Sequence, residues 1–203
     1  MYNKISEEAK KEMEKIHFTA DLHHGHDKII DICSRPISKE EHEEWLVKEV
    51  INKWVGKKDQ LYILGDLSMS KRKLAEKFID RLNGNKFLIV GNHDKNIKNS
   101  TRFSQITQIK DFTFKQFGLN IHIVLCHYPI VSWNKKIHGS WHLYGHVHGH
   151  YRDSSSLSLD IGIDNKSEIH NITGGYYRPI NLYEVFTYME DKKQLIQKYE
   201  KYT

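Results

Sequence analysis

The sequence is poor in cysteine and proline and has no long apolar run. Its 203 residues include two cysteines, Cys33 and Cys126, which exclude a disulfide scaffold. Because they lie far apart and form no CxxC pair, we expect a reduced, cytoplasmic setting. No stretch approaches the roughly 18 apolar residues of a membrane helix, and the first residues lack the apolar core of a signal peptide. With three prolines and no linker, residues 1–203 are expected to form one domain with a helical extension over 1–15.

The charge balance is mildly basic. Lys and Arg number 31 against 26 Asp and Glu, which gives a net charge of +5. This excess favours anionic partners but is equally compatible with solubility alone. Nucleic acid is therefore a possible partner but not a favoured one, no membrane partner is indicated, and the oligomeric state stays open. Histidine is the unusual residue type, since seven of the 14 fall between residues 122 and 150.

Hydrophobic periodicity predicts strands alternating with helices in the first half of the chain. The expected strands are 16–21, 60–66 and 86–94, and the expected helices are 6–15, 39–54 and 71–84. Such alternation is typical of a parallel α/β sheet. In the second half the pattern predicts strands near 109–117, 120–126, 141–145, 157–163 and 181–189. Few helical patterns interrupt them, which favours mixed or antiparallel pairing.

Side chains that bind metals follow several of these predicted strands. They are Asp21-Leu22-His23, Gly65-Asp66, Gly91-Asn92-His93-Asp94, His127 and the run GHVHGH at 145–150. Each motif alone has an ordinary reading as a turn, a structural histidine or a solvated loop. Because ligands of open α/β sheets bind at the carboxyl ends of strands, the motifs together predict one shared site.

These five motifs resemble, in order, the signature of the calcineurin-like metallophosphoesterases: D-x-H, G-D, G-N-H-[DE], a lone H and G-H-x-H. The match spans residues 16–150. The context DLHHGHDKII, the pair Arg35-Pro36 and the later LDIGID further resemble a subgroup of small bacterial and phage phosphoesterases. The resemblance implies an α/β fold, namely a four-layer α/β/β/α sandwich with mixed sheets and the site among loops between the sheets.

The resemblance also implies two divalent cations as cofactors, with Asp66 bridging them. The two implied ligand sets are Asp21, His23 and His148 for one ion, and Asn92, His127 and His146 for the other. A set of nitrogen and oxygen ligands without thiolate suits Mn first, and also Fe, Zn, Ni or Co, whereas it is too rich in histidine for Mg or Ca. Two such ions about 3.5–4 Å apart orient a phosphate ester and convert a bridging water to hydroxide.

Residues beside these ligands are candidates for catalysis and substrate binding. By the same resemblance His93 is a general acid for the leaving group. Asp94 is expected to hold the His93 ring, with capping of the next turn as the alternative. His26, Arg35 and Trp133 are candidate substrate contacts, and for Trp133 simple packing is the alternative reading.

The implied activity is a phosphodiesterase on nucleotide-like substrates. Only 35 positions separate Asn92 from His127, which leaves no room for a large cap and predicts an open site. A phosphomonoesterase acting on proteins or nucleotides is the main alternative. A nuclease is less favoured, because nucleases of this superfamily append capping and coiled-coil segments. A non-catalytic scaffold is the remaining alternative, and its sequence would lack some of the predicted ligands.

His150 follows the two predicted ligands of the GHVHGH run. Because both ligand sets are complete without it, it is expected at the rim of the site.

Overall fold

A computed structural model describes residues 5–200 of the chain. The predicted domain and its N-terminal extension also include residues 1–4 and 201–203, which lie outside the described residues. The strands, in chain order, are β1 (Ile16–Thr19), β2 (Gln60–Ile63), β3 (Asn85–Ile89), β4 (Gln105–Thr107), β5 (Ile109–Gln116), β6 (Leu119–Cys126), β7 (Trp141–Tyr144), β8 (Ser158–Asp160) and β9 (Ile180–Asn181).

The helices lie between the strands of the first half and at both ends of the described chain. They are α1 (Glu7–Met13), α2 (Lys28–Ile32), α3 (His42–Trp45), α4 (Arg72–Arg81), α5 (Ile169–Thr173) and α6 (Leu182–Glu200). A π-helix continues α3 over Leu46–Asn52, and 3₁₀ turns form at Asp94–Asn96 and Lys136–His138. None of the helices within residues 5–200 combines the length and apolar character needed to cross a membrane.

The strands form two mixed sheets. The first has the order β4-β3-β2-β1-β9, in which β1 to β4 are parallel and β9 is antiparallel to β1. The second has the order β5-β6-β7-β8, in which β5 and β6 form an antiparallel hairpin and β6, β7 and β8 are parallel. The α/β class and the mixed sheets are therefore confirmed, including the parallel first half.

Two apolar cores hold the layers together. One face of the first sheet packs on the π-helix and α4, with Leu46 and Phe78 in the core. The other face packs on the second sheet, where Phe18 of β1 lies in one cluster with Ile123 of β6. Because the first sheet is covered on both faces, β1 is buried along its whole length. The finer four-layer order implied by the resemblance stays a prediction.

The predicted strand at 181–189 is wrong. Only Ile180–Asn181 is extended, and the chain then enters α6. A reciprocal cap starts the helix, because the amide of Glu184 donates to Asn181 Oδ1 and the amide of Asn181 donates to the Glu184 carboxylate, each at 2.9 Å. Leu182, Val185 and Met189 then face the core at helical spacing. By contrast, the predicted first helix is confirmed as α1.

Candidate metal centre

The carboxyl ends of the strands bring the predicted ligands together from both sheets. Asp21 and His23 follow β1, and Asp66 follows β2. His127 follows β6, and the GHVHGH run follows β7. Backbone contacts tie neighbouring strand ends within each sheet, since the amide of Asp21 donates to Gly65 O and the amide of Gly145 donates to His127 O. The amide of Ile163 donates to Ala20 O at 3.3 Å and joins the two sheets at the same edge. The predicted convergence is thus observed.

The first ligand group consists of Asp21, His23 and His148. One carboxylate oxygen and one ring nitrogen from each histidine lie within 4.8 Å of one another. The Nε2 atoms of His23 and His148 are 3.3 Å apart. Two nitrogens bound to one ion at about 2.0–2.1 Å would be separated by a similar distance. The Nδ1 of His23 is buried with no hydrogen-bond partner among residues 5–200, so this ring depends on what its Nε2 binds.

The second group consists of Asp66, His127 and His146, with Asn92 beside them. His127 Nε2 lies 3.2 Å from Asn92 Oδ1 and 3.4 Å from Asp66 Oδ2. The Nδ1 of His127 faces the Leu64 carbonyl oxygen at 2.8 Å, so a neutral ring donates there and turns its Nε2 lone pair toward those two oxygens. Three acceptors then converge on one point, which requires a proton or a cation between them.

Asp66 lies between the two groups. Its Oδ2 is 3.4 Å from His127 Nε2 in one group and 3.8 Å from His23 Nε2 in the other. Its Oδ1 accepts the backbone N–H of His93 at 2.9 Å. Burial alone would raise the pKa of Asp66, but with no ion bound, the hydrogen bond and charge of a protonated His127 outweigh it and lower the pKa to about 2. The carboxylate is therefore ionised and able to face a ligand-binding point on each side.

Negative charge is concentrated and desolvated around Asp21. This side chain is fully buried, and burial raises its pKa well above the usual range, with further contributions from the carboxylates of Asp160 and Asp66. The backbone N–H of His146 donates to both oxygens of Asp21. One amide does not neutralise several buried carboxylates, whereas a divalent cation would. The donor set and its charge therefore fit metal ions.

The backbone at the ligand positions is held in the left-handed region. Five of the seven predicted ligands have positive φ, namely Asp21 (60°), His23 (53°), Asp66 (51°), His146 (72°) and His148 (48°). This conformation is uncommon for residues other than glycine and persists only where surrounding contacts enforce it. The alternation of such residues in the GHVHGH run turns both His146 and His148 toward the site.

Glycines allow the strand ends to approach closely. A Cβ atom on Gly91 would lie 2.4 Å from Asp66 Oδ1 and 2.6 Å from Asp66 N. A Cβ atom on Gly145 would lie 2.7 Å from Asp21 Oδ2. Neither distance is sterically acceptable, so these two motif glycines are required for the loops to pack against the carboxylates.

His93 stands at the mouth of the site, but Asp94 does not contact its ring. The His93 side chain is 38% exposed, with Nε2 3.9 Å from Asp66 Oδ2. The buried Asp94 carboxylate accepts N–H groups of Asp66, Leu67 and Gly91 at 2.8–2.9 Å. The prediction that Asp94 holds the His93 ring is therefore wrong. Asp94 instead ties the β2 and β3 loops together.

Two of the three predicted substrate contacts are corrected. The side chain of Arg35 is fully buried, paired with Asp164 and bonded to the carbonyl oxygens of Asp21 and Leu22. It supports the first ligand group from behind. Trp133 is 8% exposed and donates from its indole to Ser140 O, so the alternative reading as a packed side chain holds. His26 lies near the site, its ring 5.5 Å from that of His23, and its substrate contact stays a prediction.

Three further residues of this centre were absent from the sequence prediction. Asp164 accepts from His148 Nδ1 at 3.1 Å, which directs His148 Nε2 to the first group. Asp160 accepts the Gly149 amide at 2.7 Å and so fixes the end of the GHVHGH turn. Both belong to the LDIGID stretch, whose two aspartates were the available signal. Tyr128 packs its ring 4.9 Å from the ring centres of both His127 and His146, and no local pattern indicates this.

Fold and site together define an α/β protein of two mixed sheets with paired His/Asp groups at the strand ends. No family model matches the chain. The uncharacterized protein MJ1445 of Methanocaldococcus jannaschii is 32% identical over 175 residues, covering 84% of this chain and 88% of that protein. The chain therefore belongs to the same family as this archaeal protein.

Other similar proteins come from phages and from a bacterium. The gene 66 proteins of Mycobacterium phages L5 and D29 are 28% and 27% identical, covering 83% and 75% of this chain and 91% and 89% of theirs. The crystal structure of AQ665, a protein of unknown function from Aquifex aeolicus, aligns with a TM-score of 0.59 and 20% identity. It covers 85% of this chain and 97% of that one, which shows a shared fold.

Proposed function

We propose that this protein is a dinuclear metal-dependent phosphoesterase of the calcineurin-like metallophosphoesterase superfamily. The observation that carries the proposal is the position of Asp66 between two ligand groups, with one oxygen 3.4 Å and 3.8 Å from a histidine nitrogen of each group. An anionic carboxylate oxygen is suited to bind two cations, and Asp66 Oδ2 is the oxygen that lies near both groups. Structural histidine clusters do not need such a bridge.

The residues that would hold the two ions come from both sheets. Asp21, His23 and His148 would hold one, and Asn92, His127 and His146 the other, with Asp66 shared. The mixture of imidazole and oxygen ligands favours Mn, with Fe, Zn, Ni or Co as alternatives. When bound, such a pair neutralises the oxygens of a phosphate ester and provides an activated water near neutral pH.

His93 is the residue proposed to protonate the leaving group. Its side chain is partly exposed beside Asp66, so it can reach a substrate that occupies the mouth of the site. The backbone N–H of His93 donates to Asp66 Oδ1. This bond fixes the His93 backbone, from which the ring extends, relative to the shared carboxylate. A positioned general acid of this kind contributes typically ~10²–10⁴-fold in rate.

A phosphodiester of nucleotide type is the favoured substrate. The chain between Asn92 and His127 contains β4, β5 and β6 of the sheets, so it forms no cap over the site. Asn92 and His146 are exposed. An open site accommodates both groups esterified to one phosphate. A phosphomonoesterase could use the same ligands and is the alternative.

Hydrolysis of two model esters by Mn-reconstituted protein tests this proposal. We expect bis(p-nitrophenyl) phosphate to be cleaved at least as fast as p-nitrophenyl phosphate, and both activities to be lost after chelation. A preference for the monoester above about tenfold, which is about 1.4 kcal/mol in the barrier, would favour the alternative. No hydrolysis of either ester by protein of verified metal content would contradict the phosphoesterase proposal.

We also propose a cytoplasmic location. Both cysteines are free thiols, with Cys126 buried and Cys33 half-buried, and burial raises the pKa of each. A chain with two unpaired cysteines suits a reducing compartment.

A further inference from the structure

A cavity of about 290 Å³ opens directly beside the first ligand group. Its lining includes Cys33, Ser34, His148, His150, Lys166 and Ser167. His148 is the shared wall, since its Nε2 faces His23 while its ring borders the cavity. The cavity therefore lies on the Nδ1 side of His148, where Asp164 and Cys33 contact the ring, and this ring separates it from the first ligand group.

The charge of the cavity suits an anion. Lys166 is exposed, and its ammonium forms no ion pair in the described part of the chain. The acidic wall residue Asp164 is already neutralised, because Arg35 binds both of its oxygens at 2.7–2.9 Å. His150, which the metal groups leave unused, adds a second polar group at the entrance. The cavity therefore presents a free cation without a free carboxylate among its described lining residues.

The wall of the cavity includes the end of α2. Ser34, with φ of 50°, is the left-handed residue that ends this helix, and the amide of the next residue, Arg35, donates to Ile30 O at 2.9 Å. Ser34 is exposed and lines the cavity. Its hydroxyl thus adds a hydrogen-bonding group to the same wall as Cys33.

We propose that this cavity is a subsite for a second phosphate of the substrate. The inference rests on the proposed function, because the scissile phosphate must lie at the two ligand groups. The substrate class is then a phosphodiester that carries a further phosphate on one of its ester groups, such as a 5′-phosphorylated dinucleotide. Lys166 would bind the second phosphate as a charge-assisted donor, and Ser34 would add a neutral one.

Binding of two matched dinucleotides tests the subsite without relying on turnover. TpT and pTpT differ only in the 5′ phosphate, and their dissociation constants can be measured by calorimetry with Mn-loaded His93→Ala protein. We expect pTpT to bind at least about tenfold more tightly, as one hydrogen bond to a charged group predicts. Adding Lys166→Ala should abolish the difference while TpT binding stays unchanged. Lys166→Arg should retain it, and so should the control Lys77→Ala on α4.

The outcomes separate the subsite from the activity. Equal affinities for TpT and pTpT, or a preference that survives Lys166→Ala, would overturn the subsite. A preference that depends on Lys166, together with no hydrolysis of either dinucleotide by protein that retains His93, would support the subsite and contradict the phosphoesterase proposal.

Discussion

At the scale of single residues, the centre is held by side chains that do not themselves belong to the ligand groups. Each predicted ligand with positive φ costs of order 1–3 kcal/mol in backbone strain. Asp94 offsets this cost by accepting three amides from the β2 and β3 loops. Arg35 does so by binding the carbonyl oxygens of Asp21 and Leu22. These contacts therefore help to hold the predicted ligands in place from outside the two groups.

Replacing His93 separates rate from metal binding. We expect His93→Ala to lower the rate of diester hydrolysis by ~10²–10⁴-fold, while both ions remain, because no ligand atom is removed. Hydrolysis rates and elemental analysis on the same sample measure the two effects. His138→Ala, at an exposed histidine outside the site, is the control. Loss of both ions in His93→Ala would contradict the assigned role.

His42 makes stability depend on pH. It is 3% exposed, and its Nε2 lies 2.7 Å from Arg35 Nη1, so it must accept and stay neutral. Burial, with the charge of Arg35, lowers the pKa of His42 from 6.5 to about 4. Because the unfolded chain binds this proton more readily, stability is full above about pH 6.5 and falls toward pH 4, by about 3 kcal/mol at most.

Urea unfolding at several pH values checks this prediction, with His42→Gln as the comparison. The glutamine keeps an acceptor but does not titrate, so its free energy of unfolding should fall less between pH 6.5 and pH 4. Identical pH dependence in the two proteins would show that His42 does not carry the effect.

The sequence predicts the convergence of the His/Asp motifs better than the roles of single polar residues. The ligands follow strands and therefore meet wherever parallel strands end. Arg35, in contrast, looks like a substrate contact until its partner is known, and that partner, Asp164, is 129 positions away. The burial of Trp133 is equally hard to predict, because the sequence of a loop does not show whether its tryptophan packs against the core or faces solvent.

At the scale of elements, the helix α6 completes the core between the sheets. Its Leu182, Val185 and Met189 pack with strands of both sheets. We expect Asn181→Ala to lower the free energy of unfolding by about 1 kcal/mol, as loss of an N-cap does. Urea unfolding measures this, with the exposed Asn99→Ala as control. An effect no larger than that of Asn99→Ala would contradict the capping role.

The misread end of the chain has a physical explanation. The segment contains four residues that favour strands by intrinsic propensity, namely Tyr183, Val185, Phe186 and Thr187. Its sequence therefore predicts a strand. Burial at positions i, i+3 and i+7 together with the Asn181–Glu184 cap overrides that preference. Buried strands bounded by glycine, such as β2 and β3, carry no such conflict, and their predictions are confirmed.

At the scale of the whole molecule, each ligand group draws on both sheets. Asp21 and His23 come from the first sheet and His148 from the second, while Asp66 is joined by His127 and His146. Bound ions would therefore link the two halves of the sandwich. We expect chelation to lower the thermal midpoint of unfolding. Metal at 100-fold above its Kd adds about 2.7 kcal/mol to the free energy of unfolding, and chelation removes this contribution. Calorimetry with and without EDTA checks this, and unchanged midpoints would contradict it.

The most direct test of the central claim is the metal content of the native protein and of Asp66→Asn. After reconstitution with Mn and removal of free metal, elemental analysis should find two ions per native chain. The Asp66→Asn protein should retain fewer, because a neutral amide would replace the anionic Oδ2 that lies near both groups. A native chain that binds no more than one ion, or a variant that keeps both, would contradict the dinuclear centre.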